Sequence, residues 1–363
     1  MSLPSAWRPR LPSHYYVFCE PPDDQGEETL HIVSERRRLK LRGRMFREFE
    51  QQVIPLLDGR RNLGEIEQQV ADIFAPADLE AGLEMLAAQG VLEDGAAGDS
   101  TLEPQANLFH ELGLNAREAQ EKLNQATVAV FGLGGAGTAL ALGLHASGLG
   151  KLRLVDDAPV TPADTFLSPV FTPADLGQAR AEALRKRLPN GASAHSNALQ
   201  SDEEVAAVIH GCDYLVCCLD PGRASLIYRL NRACLAEKLR WISCTSGGLE
   251  AVIGPAIRPY ETACYLCYKM RAVACAEDPE SEFAFQRFLD RRKQDDTQRI
   301  PQTIFAAHLA AQLTGLELLK ELVGTGSRAA GSVLVLDLLE LSLKRYVVLR
   351  KPWCPACFAG SPP

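Results

Sequence analysis

Two pairs of cysteines have a spacing that suits a metal ion. Cys264 and Cys267 form one Cys-x-x-Cys pair, and Cys354 and Cys357 form a second pair near the end of the 363-residue chain. Each pair can donate two thiolates, and two pairs complete the closed tetrahedral site of a structural zinc ion. A redox-active pair is the competing interpretation, but two pairs flanked by aromatic residues suit a metal better. We therefore predict a structural Zn²⁺ that ties the C-terminal segment back to its domain.

A second candidate site is a cluster of glycines between a predicted strand at 127–131 and a predicted helix at 136–148. A tight glycine turn lets backbone N–H groups approach a phosphate at the N-terminus of a helix. An acidic residue ends the next predicted strand, where a carboxylate can accept hydrogen bonds from a ribose. The alternative is that the glycines only let helix and strand pack closely. The candidate nucleotide-binding residues are Gly132, Gly134, Gly135, Gly137 and Asp156.

The elements that position these residues alternate between strand and helix from residue 107 onward. This alternation is typical of an α/β fold with a mostly parallel sheet covered by helices on both faces. A highly charged stretch at 276–298 is predicted to be a mobile surface loop or a short helix. The predicted strands are 127–131, 151–155, 213–218, 240–244 and 333–338. The predicted helices are 136–148, 177–188, 201–210, 221–237 and 302–323.

A smaller domain is predicted at residues 1–95, followed by a linker at 96–106 that is rich in small and polar residues, glycine and proline. Three β-like runs precede three amphipathic runs, which suggests a winged-helix-like arrangement. The fold class is therefore α/β, with a winged-helix-like domain followed by a Rossmann-like domain at 107–363 that carries the four-cysteine zinc site. The predicted strands and helices of the small domain are 14–20, 29–35, 38–42, 44–57, 63–74 and 76–89.

Composition excludes several classes of protein. The net charge of −8 gives no overall attraction to nucleic acid or to an anionic membrane. The first residues lack the apolar core of a signal peptide, and polar residues interrupt the apolar stretch at 300–323, so no membrane span is expected. We therefore expect a cytoplasmic protein with reduced cysteines. Cys275, beside the charged stretch, is the thiol whose reactivity stays open.

A winged-helix-like domain could also bind DNA, but the charges oppose this. A recognition helix needs Arg or Lys side chains that reach phosphates and bases. The third predicted helix instead carries Asp78, Glu80 and Glu84 and no basic residue. Residues 1–95 contain 11 Lys and Arg against 17 Asp and Glu. A DNA-binding regulator is therefore the weakest of the functions considered.

Together, these residues resemble the ThiF-type (ubiquitin-activating-like) adenylating fold over residues 107–358. The resemblance rests on the GLGGAG turn, Asp156, the ADLGQARAEAL segment, the CCLD run that ends at Asp220, the TSGG run and the paired cysteines. It implies that ATP and Mg²⁺ bind and that a carboxylate or a side chain is adenylated. It also adds Arg180 and Asp220 to the candidate nucleotide-binding residues.

The chain departs from this family pattern where charged groups are expected. Ala158 replaces the second acid after the second strand, and Leu167 replaces an arginine beside the phosphates. Phosphoryl transfer depends on charge stabilisation, and one arginine contributes roughly a thousandfold or more in rate. We therefore expect a retained fold without the adenylation reaction. An active adenylating enzyme that holds its own peptide stays the alternative.

A winged-helix-like domain joined to such a domain resembles a narrower family, the leader-peptide-binding partners of YcaO azoline cyclodehydratases, which make thiazole/oxazole-modified peptides. The small domain is similar to the PqqD-like peptide-recognition element through its LDGRRNLGEIEQQVADIF segment and its order of elements. The resemblance implies that the chain binds a precursor leader peptide, while a YcaO-type enzyme carries out the ATP-dependent ring formation. A homodimer is also expected.

We expect the leader peptide to bind as an added strand along an open sheet edge. The candidate edge is 38–42, where three basic side chains alternate with two leucines. Three leucines of the third predicted helix recur at i, i+4 and i+7 and would form the other wall. The alternative is that this stripe is used entirely in the domain's own core. The candidate peptide-binding residues are Arg38, Leu39, Lys40, Leu41, Arg42, Leu79, Leu83 and Leu86.

Overall fold

A computed structural model describes residues 4, 6–95, 100–188, 190–219, 223–292 and 301–358 of the chain. The chain forms two compact units, Met1–Glu121 and Lys122–Pro363. Each unit has a hydrophobic core of its own. No helix in the described part of the chain is long and apolar enough to cross a membrane.

The first unit combines short strands with short helices. Its strands are β1 Pro9–Arg10, β2 Tyr16–Glu20, β3 Glu28–Val33, β4 Arg38–Gly43 and β5 Glu93–Asp94. Its helices are α1 Phe46–Glu48, α2 Leu63–Val70, α3 Pro76–Ala88, α4 Glu103–Glu111 and α5 Ala116–Gln125, whose last residues belong to the second unit. A π-helical turn at Phe49–Val53 and a 3₁₀ turn at Ile54–Leu56 continue α1. The sheet is antiparallel with the order β2–β3–β4, and β1 pairs with β5.

Local sequence explains these elements. The Asn62 side chain accepts the N–H of Glu65 at 2.9 Å, and the Glu65 carboxylate accepts the N–H of Asn62 at 2.8 Å, so the pair caps the start of α2. Pro76 lies in the first turn of α3, where its missing N–H costs no hydrogen bond. Leu30 and Ile32 of β3 are fully buried because alternate residues of a strand face the same side. The predicted strands and helices of this domain agree with the observed ones to within a few residues.

The segment after this domain differs from the prediction. The sequence predicts a linker at 96–106, but a 3₁₀ turn at Ser100–Leu102 leads directly into α4, and residues 96–99 lie outside the described residues. The proline that suggests a linker stands in the first turn of α4, where proline starts a helix. The helix packs within the first unit: Glu111 lies 3.0 Å from His14, and the His110 ring lies edge-on to Tyr15.

The second unit is an eight-stranded sheet with helices on both faces. Its strands are β6 Thr127–Phe131, β7 Lys151–Val155, β8 Ala192–His195, β9 Tyr214–Cys217, β10 Trp241–Gly247, β11 Glu250–Ile257, β12 Ser332–Asp337 and β13 Ser342–Val347. Its helices are α6 Gly135–Ala146, α7 Pro162–Leu167, α8 Arg180–Arg185, α9 Asp202–Ile209, α10 Ala224–Ala236, α11 Tyr265–Ala274, α12 Pro279–Arg292 and α13 Ile304–Val323. A 3₁₀ turn spans Pro173–Asp175.

The sheet is less parallel than the sequence predicts. Its order is β13–β12–β11–β10–β9–β6–β7–β8, and the five strands from β10 to β8 are parallel. The three strands at the other end are antiparallel. The reason is connection length: two residues, Gly248 and Leu249, join β10 to β11, whereas a parallel crossover needs a dozen or more. The prediction of a mostly parallel sheet is therefore confirmed for five of its eight strands, and the antiparallel end refines it to a mixed sheet.

The two faces of the sheet have separate cores. Val128 and Val130 of β6 face the core that contains residues of α6, α8 and α13. Ala129 and Phe131 of the same strand face the core that contains residues of α9 and α10. This alternation is what a strand buried on both faces requires. It brings the C-terminal ends of the parallel strands, and the segments that follow them, to one edge of the sheet.

The charged stretch predicted as a loop or short helix contains α12, a helix of 14 residues. Residues 293–300 lie outside the described residues. Cys275 lies exposed at the C-terminus of α11, shortly before α12 begins.

Candidate functional sites

The four predicted metal ligands lie together. Their sulfur atoms are all within 4.8 Å of one another, and all four side chains are buried. The Sγ–Sγ distance is 3.8 Å between Cys264 and Cys267, 3.7 Å between Cys264 and Cys354, and 3.6 Å between Cys267 and Cys357. A disulfide would need about 2.0 Å. Four sulfurs that each lie about 2.3 Å from a central zinc stand about 3.8 Å apart, so the cluster fits a tetrahedral ion such as Zn²⁺.

Backbone contacts hold the two cysteine pairs in place. Cys264 is the N-cap residue of α11, which places Cys267 in the first turn of that helix. The other pair follows β13, where the N–H of Lys351 donates to the Cys267 sulfur at 3.3 Å. The Arg350 guanidinium donates to the carbonyl oxygens of Tyr260 at 2.6 Å and Cys357 at 3.0 Å. The C-terminal segment is thus tied to α11, as the cysteine spacing predicts.

The chemistry of the donors agrees with their geometry. Burial raises the pKa of the Cys264 thiol, and burial raises the pKa of Cys357 to about 11. These two thiols therefore stay protonated unless a cation compensates their charge. A bound metal ion would supply that charge and hold the four groups as thiolates.

The glycine turn joins β6 to α6 in a conformation that requires glycine. Gly132 has φ of +84°, and a β-carbon there would lie 2.6 Å from the carbonyl oxygen of Cys218. A β-carbon on Gly137 would lie 1.8 Å from the carbonyl oxygen of Gly132. Gly134 is the N-cap residue of α6, and Gly135 is its first residue. Close packing, the alternative reading of these glycines, is sufficient to explain Gly132 and Gly137.

The Asp156 carboxylate fixes this turn through a hydrogen bond. Its carboxylate accepts the N–H of Leu133 at 2.7 Å and the N–H of Ala158 at 2.8 Å. The Arg180 guanidinium lies 3.4 Å from the same carboxylate and 2.9 Å from that of Asp164. The structure therefore brings the two candidate residues Asp156 and Arg180 together, and it uses both in contacts within the protein.

A cavity of about 220 Å³ opens beyond the ends of β6, β7 and β9. The crevice outside the carboxyl ends of the strands is where open α/β sheets bind ligands. Asp156 lines the cavity, the Arg223 guanidinium donates to Asp157 across it, and Arg229 also lines it. Sequence patterns did not single out Asp157, Arg223 or Arg229. The only signal was that these residues lie close in the sequence to Asp156 or Asp220. Asp220 itself lies outside the described residues.

The residues that depart from the family pattern lie beside the turn. A β-carbon on Gly135 would lie 3.0 Å from the β-carbon of Leu167, so this leucine packs against the first residue of α6. A His308 ring nitrogen lies 3.2 Å from the carbonyl oxygen of Leu167 and fixes the segment. Ala158 is buried and meets Asp156 through its N–H. An apolar side chain thus packs beside a helix N-terminus of the kind that can bind a phosphate.

The predicted peptide-binding strand lies at an edge. β4 pairs with β3 on one side, and no strand in the described part of the chain pairs with its other side. The three basic side chains of residues 38–42 are exposed, and the two leucines between them are half-buried. Arg42 is already engaged, because its guanidinium donates to Asp23 at 2.8 Å.

An apolar groove of about 220 Å³ lies between β4 and α3. Leu79 and Leu86 line it, but both are at most 2% exposed. Leu83 is fully buried in the core of the first unit and does not line the groove. The three leucines of α3 therefore serve mainly the core, because their side chains are buried in one cluster with Leu30 and Ile32 of β3. Other residues that line the groove are Leu41, Met45, Phe46, Phe49, Phe74 and Met85.

Comparison with known proteins identifies relatives of the second unit. The sequence model of the ThiF family matches residues 103–356. Molybdopterin-synthase adenylyltransferase of Escherichia coli (strain K12) is 26% identical over 250 residues, which cover 66% of this chain and 90% of that protein. The sulfur carrier protein ThiS adenylyltransferase of the same organism is 28% identical over 156 residues, which cover 42% of this chain and 61% of that protein.

Solved structures share the fold over nearly the whole chain. The E. coli microcin C7 biosynthetic enzyme MccB, in complex with N-formylated MccA, superposes with a TM-score of 0.70 at 16% identity. The match covers 96% of this chain and 99% of MccB. PaaA superposes with a TM-score of 0.68 at 16% identity, covering 93% of this chain and 99% of PaaA. Because the family match extends over well more than half of its length, the chain belongs to the ThiF family.

Proposed function

We propose that this protein binds the leader of a ribosomally made precursor peptide along β4 and presents the peptide to a YcaO-type cyclodehydratase that forms azoline rings with ATP. The observation that carries the proposal is an open strand edge with an apolar groove beside it. A peptide added to β4 would satisfy the backbone donors and acceptors of the edge. Its alternate side chains would reach the groove on one face and the basic residues on the other.

Charge on the outer face of β4 favours an acidic leader. Arg38 and Lys40 are exposed, whereas Arg42 already pairs with Asp23. Side chains directly opposite each other on neighbouring strands lie about 5 Å apart, which lets carboxylates at alternate leader positions pair with these two bases. Residues 1–95 carry more acidic than basic side chains. The outer face of β4 is therefore a basic patch in an otherwise acidic domain, and it would orient an acidic peptide.

The groove would take the apolar side chains of the leader. Met45 is 43% exposed at its rim, and Phe46 and Leu41 are half-buried in its wall. Unbranched methionine side chains adapt to the shape of a bound apolar group. Leu79 and Leu86 form the floor and stay in the core whether or not a peptide is bound.

We further propose that the ThiF-type unit does not adenylate its own substrate. Leu167 packs against the first residue of α6, and Asp156 accepts the N–H of Leu133 in the turn and the N–H of Ala158 after β7. A reacting phosphate there would lack the arginine that Leu167 replaces, and the Arg180 guanidinium already pairs with Asp156 and Asp164. The unit would then act as a platform for the partner enzyme, which supplies the ATP chemistry.

The second candidate function is adenylation by the chain itself. The similarity to two E. coli adenylyltransferases favours it, as does the cavity at the strand ends. MccB, which shares the fold, has been solved with ATP and with MccA. The two candidates differ in one respect that can be measured: whether the chain alone activates a carboxylate with ATP.

Reconstitution of ring formation tests the proposed function. The precursor peptide is incubated with ATP and the YcaO-type enzyme, with and without this protein, and mass spectrometry follows the loss of one water per ring. We expect efficient ring formation only when this protein is present and the precursor keeps its leader. A precursor without its leader is the matched control. Equal ring formation with and without this protein would contradict the proposal.

A further inference from the structure

The second unit also has an open strand edge. β13 is the last strand of the eight-stranded sheet and pairs with β12 along all six of its residues. In the described residues, no strand lies on its other side. Six apolar side chains of β13 and its flanking residues are between 52% and 75% exposed. They are Leu339, Leu341, Leu343, Tyr346, Val347 and Leu349.

The backbone of β13 presents hydrogen-bonding groups to the open side. The N–H of Val348 donates to the carbonyl oxygen of Gly331 at 2.8 Å, so this residue faces β12. Successive residues of an antiparallel strand point their backbone groups to opposite sides. The residues whose N–H and C=O groups point away from β12 are therefore Leu343, Arg345 and Val347.

The edge is also basic. Residues 342–351 contain four basic and no acidic side chains, in a chain with a net charge of −8. Lys344 and Arg345 lie on the strand itself and are exposed. Lysines are a common means of protecting an edge against self-pairing. Protection against self-pairing does not explain why six apolar side chains at this edge are also more than half exposed. Exposed apolar patches of this kind mark interaction sites.

The same charges oppose a second copy of the chain as the occupant. Antiparallel pairing of two β13 strands joins open-side residues to open-side residues, so the central register places Arg345 opposite Arg345 of the second copy. Like charges directly opposite each other destabilise a strand pair. A strand that carries acidic residues opposite Lys344 and Arg345 would instead form two attractive pairs.

We infer that β13 is a second strand-addition site, which binds an extended segment of another polypeptide with two adjacent acidic residues between apolar residues. The acidic pair lies opposite Lys344 and Arg345. The apolar residues lie opposite Leu343 on one side and opposite Tyr346 and Val347 on the other. The inference concerns a different unit from β4 and does not depend on the proposed function.

A direct binding measurement tests this site. A fluorescently labelled synthetic peptide, with two glutamates between valine and leucine residues, is titrated with the full-length protein and followed by fluorescence anisotropy. We expect binding that becomes about tenfold weaker in the double variant Lys344→Glu/Arg345→Glu, because two exposed attractions become repulsions. The same loss is expected when lysines replace the two glutamates in the peptide.

A matched charge reversal on the other open edge serves as the control. Arg38→Glu/Lys40→Glu should leave the affinity for this peptide unchanged, which separates the β13 site from the leader site on β4. Val347→Pro removes an open-side N–H without removing a bond to β12, so it should also weaken binding. Thermal melting of each variant confirms that it is folded.

Three results would overturn the inference. The first is no binding of the glutamate peptide to the wild-type protein, and the second is equal binding of the lysine peptide. The third is self-association through this edge. Arg345→Gln would remove the like-charge pair between two copies, so stronger self-association of that variant in sedimentation would identify a second copy as the occupant.

Discussion

Replacing Cys354 by serine should release the metal ion and loosen the C-terminal segment. The two cysteine pairs close a segment of roughly 90 residues between Cys267 and Cys354. A cross-link that closes a segment of this length removes unfolded-state entropy equivalent to about 4–5 kcal/mol. Each kcal/mol changes the melting temperature of a unit of this size by about 2–4 °C. We therefore expect the second unit to melt about 10–15 °C lower in the variant.

Elemental analysis and calorimetry measure both consequences on the same samples. The wild-type protein should contain one equivalent of zinc, and a strong chelator should lower its melting temperature toward that of Cys354→Ser. Cys275→Ser is the matched control, because Cys275 is exposed and is not a member of the four-cysteine cluster. It should keep its zinc and its melting temperature, since exposed substitutions change stability by about 0.5 kcal/mol or less.

Two outcomes would refute this reasoning. Wild-type protein with well under one equivalent of zinc would show that the cluster is not a metal site. A Cys354→Ser variant with unchanged melting temperature would show that the pair Cys354 and Cys357 does not anchor the C-terminal segment.

Three further predictions follow from the turn, the first unit and the cavity. Gly137→Ala should destabilise the second unit by about 3 kcal/mol or more in urea denaturation, because its methyl group would lie 1.8 Å from the carbonyl oxygen of Gly132. Gly143→Ala in the same helix is the control. Its methyl group would lie 3.5 Å from the nearest atom, the side-chain oxygen of Gln312, so this variant should be neutral or stabilising. Burial, and secondly the charge of His14, lowers the pKa of His110 to about 4, below its ordinary 6.5. As the pH falls from about 6.5 to 4, the His110 imidazole takes up a proton in the unfolded chain before it does so in the folded chain, so the free energy of unfolding falls by up to about 3 kcal/mol. The urea midpoint of His110→Gln should therefore depend less on pH over this range. The protein alone should not exchange pyrophosphate into ATP; exchange that needs a peptide carboxylate and disappears in Asp220→Ala would favour adenylation instead.

The sequence predicts those features whose requirements are local. β6 and β7 begin and end where predicted, because β6 is a short apolar run that ends at a glycine and β7 carries regularly spaced apolar residues and ends at an acid. The cysteine cluster is predicted correctly because two thiolates spaced by two residues already form half of a tetrahedral site. The open edge at β4 also follows from its alternating residues.

Features that depend on tertiary contacts are not predictable in this way. β13 has exposed side chains on both faces, so its sequence shows no alternation that would mark it as a strand. The ion pair between Asp157 and Arg223 joins residues far apart in the chain. Leu83 has the spacing of a groove residue, but only the packing of α3 against the sheet shows that it lies in the core.

A binding titration measures whether β4 binds the leader peptide. A labelled synthetic leader, with glutamates at alternate positions, is titrated with wild-type protein, with Arg38→Glu/Lys40→Glu, and with the control Lys344→Glu/Arg345→Glu. We predict that the β4 variant binds about tenfold more weakly than the wild type and depends less on salt, while its melting temperature and the control's affinity stay unchanged. Equal affinity of the β4 variant and the wild type would remove the charge contact, and no binding to the wild-type protein would contradict the function.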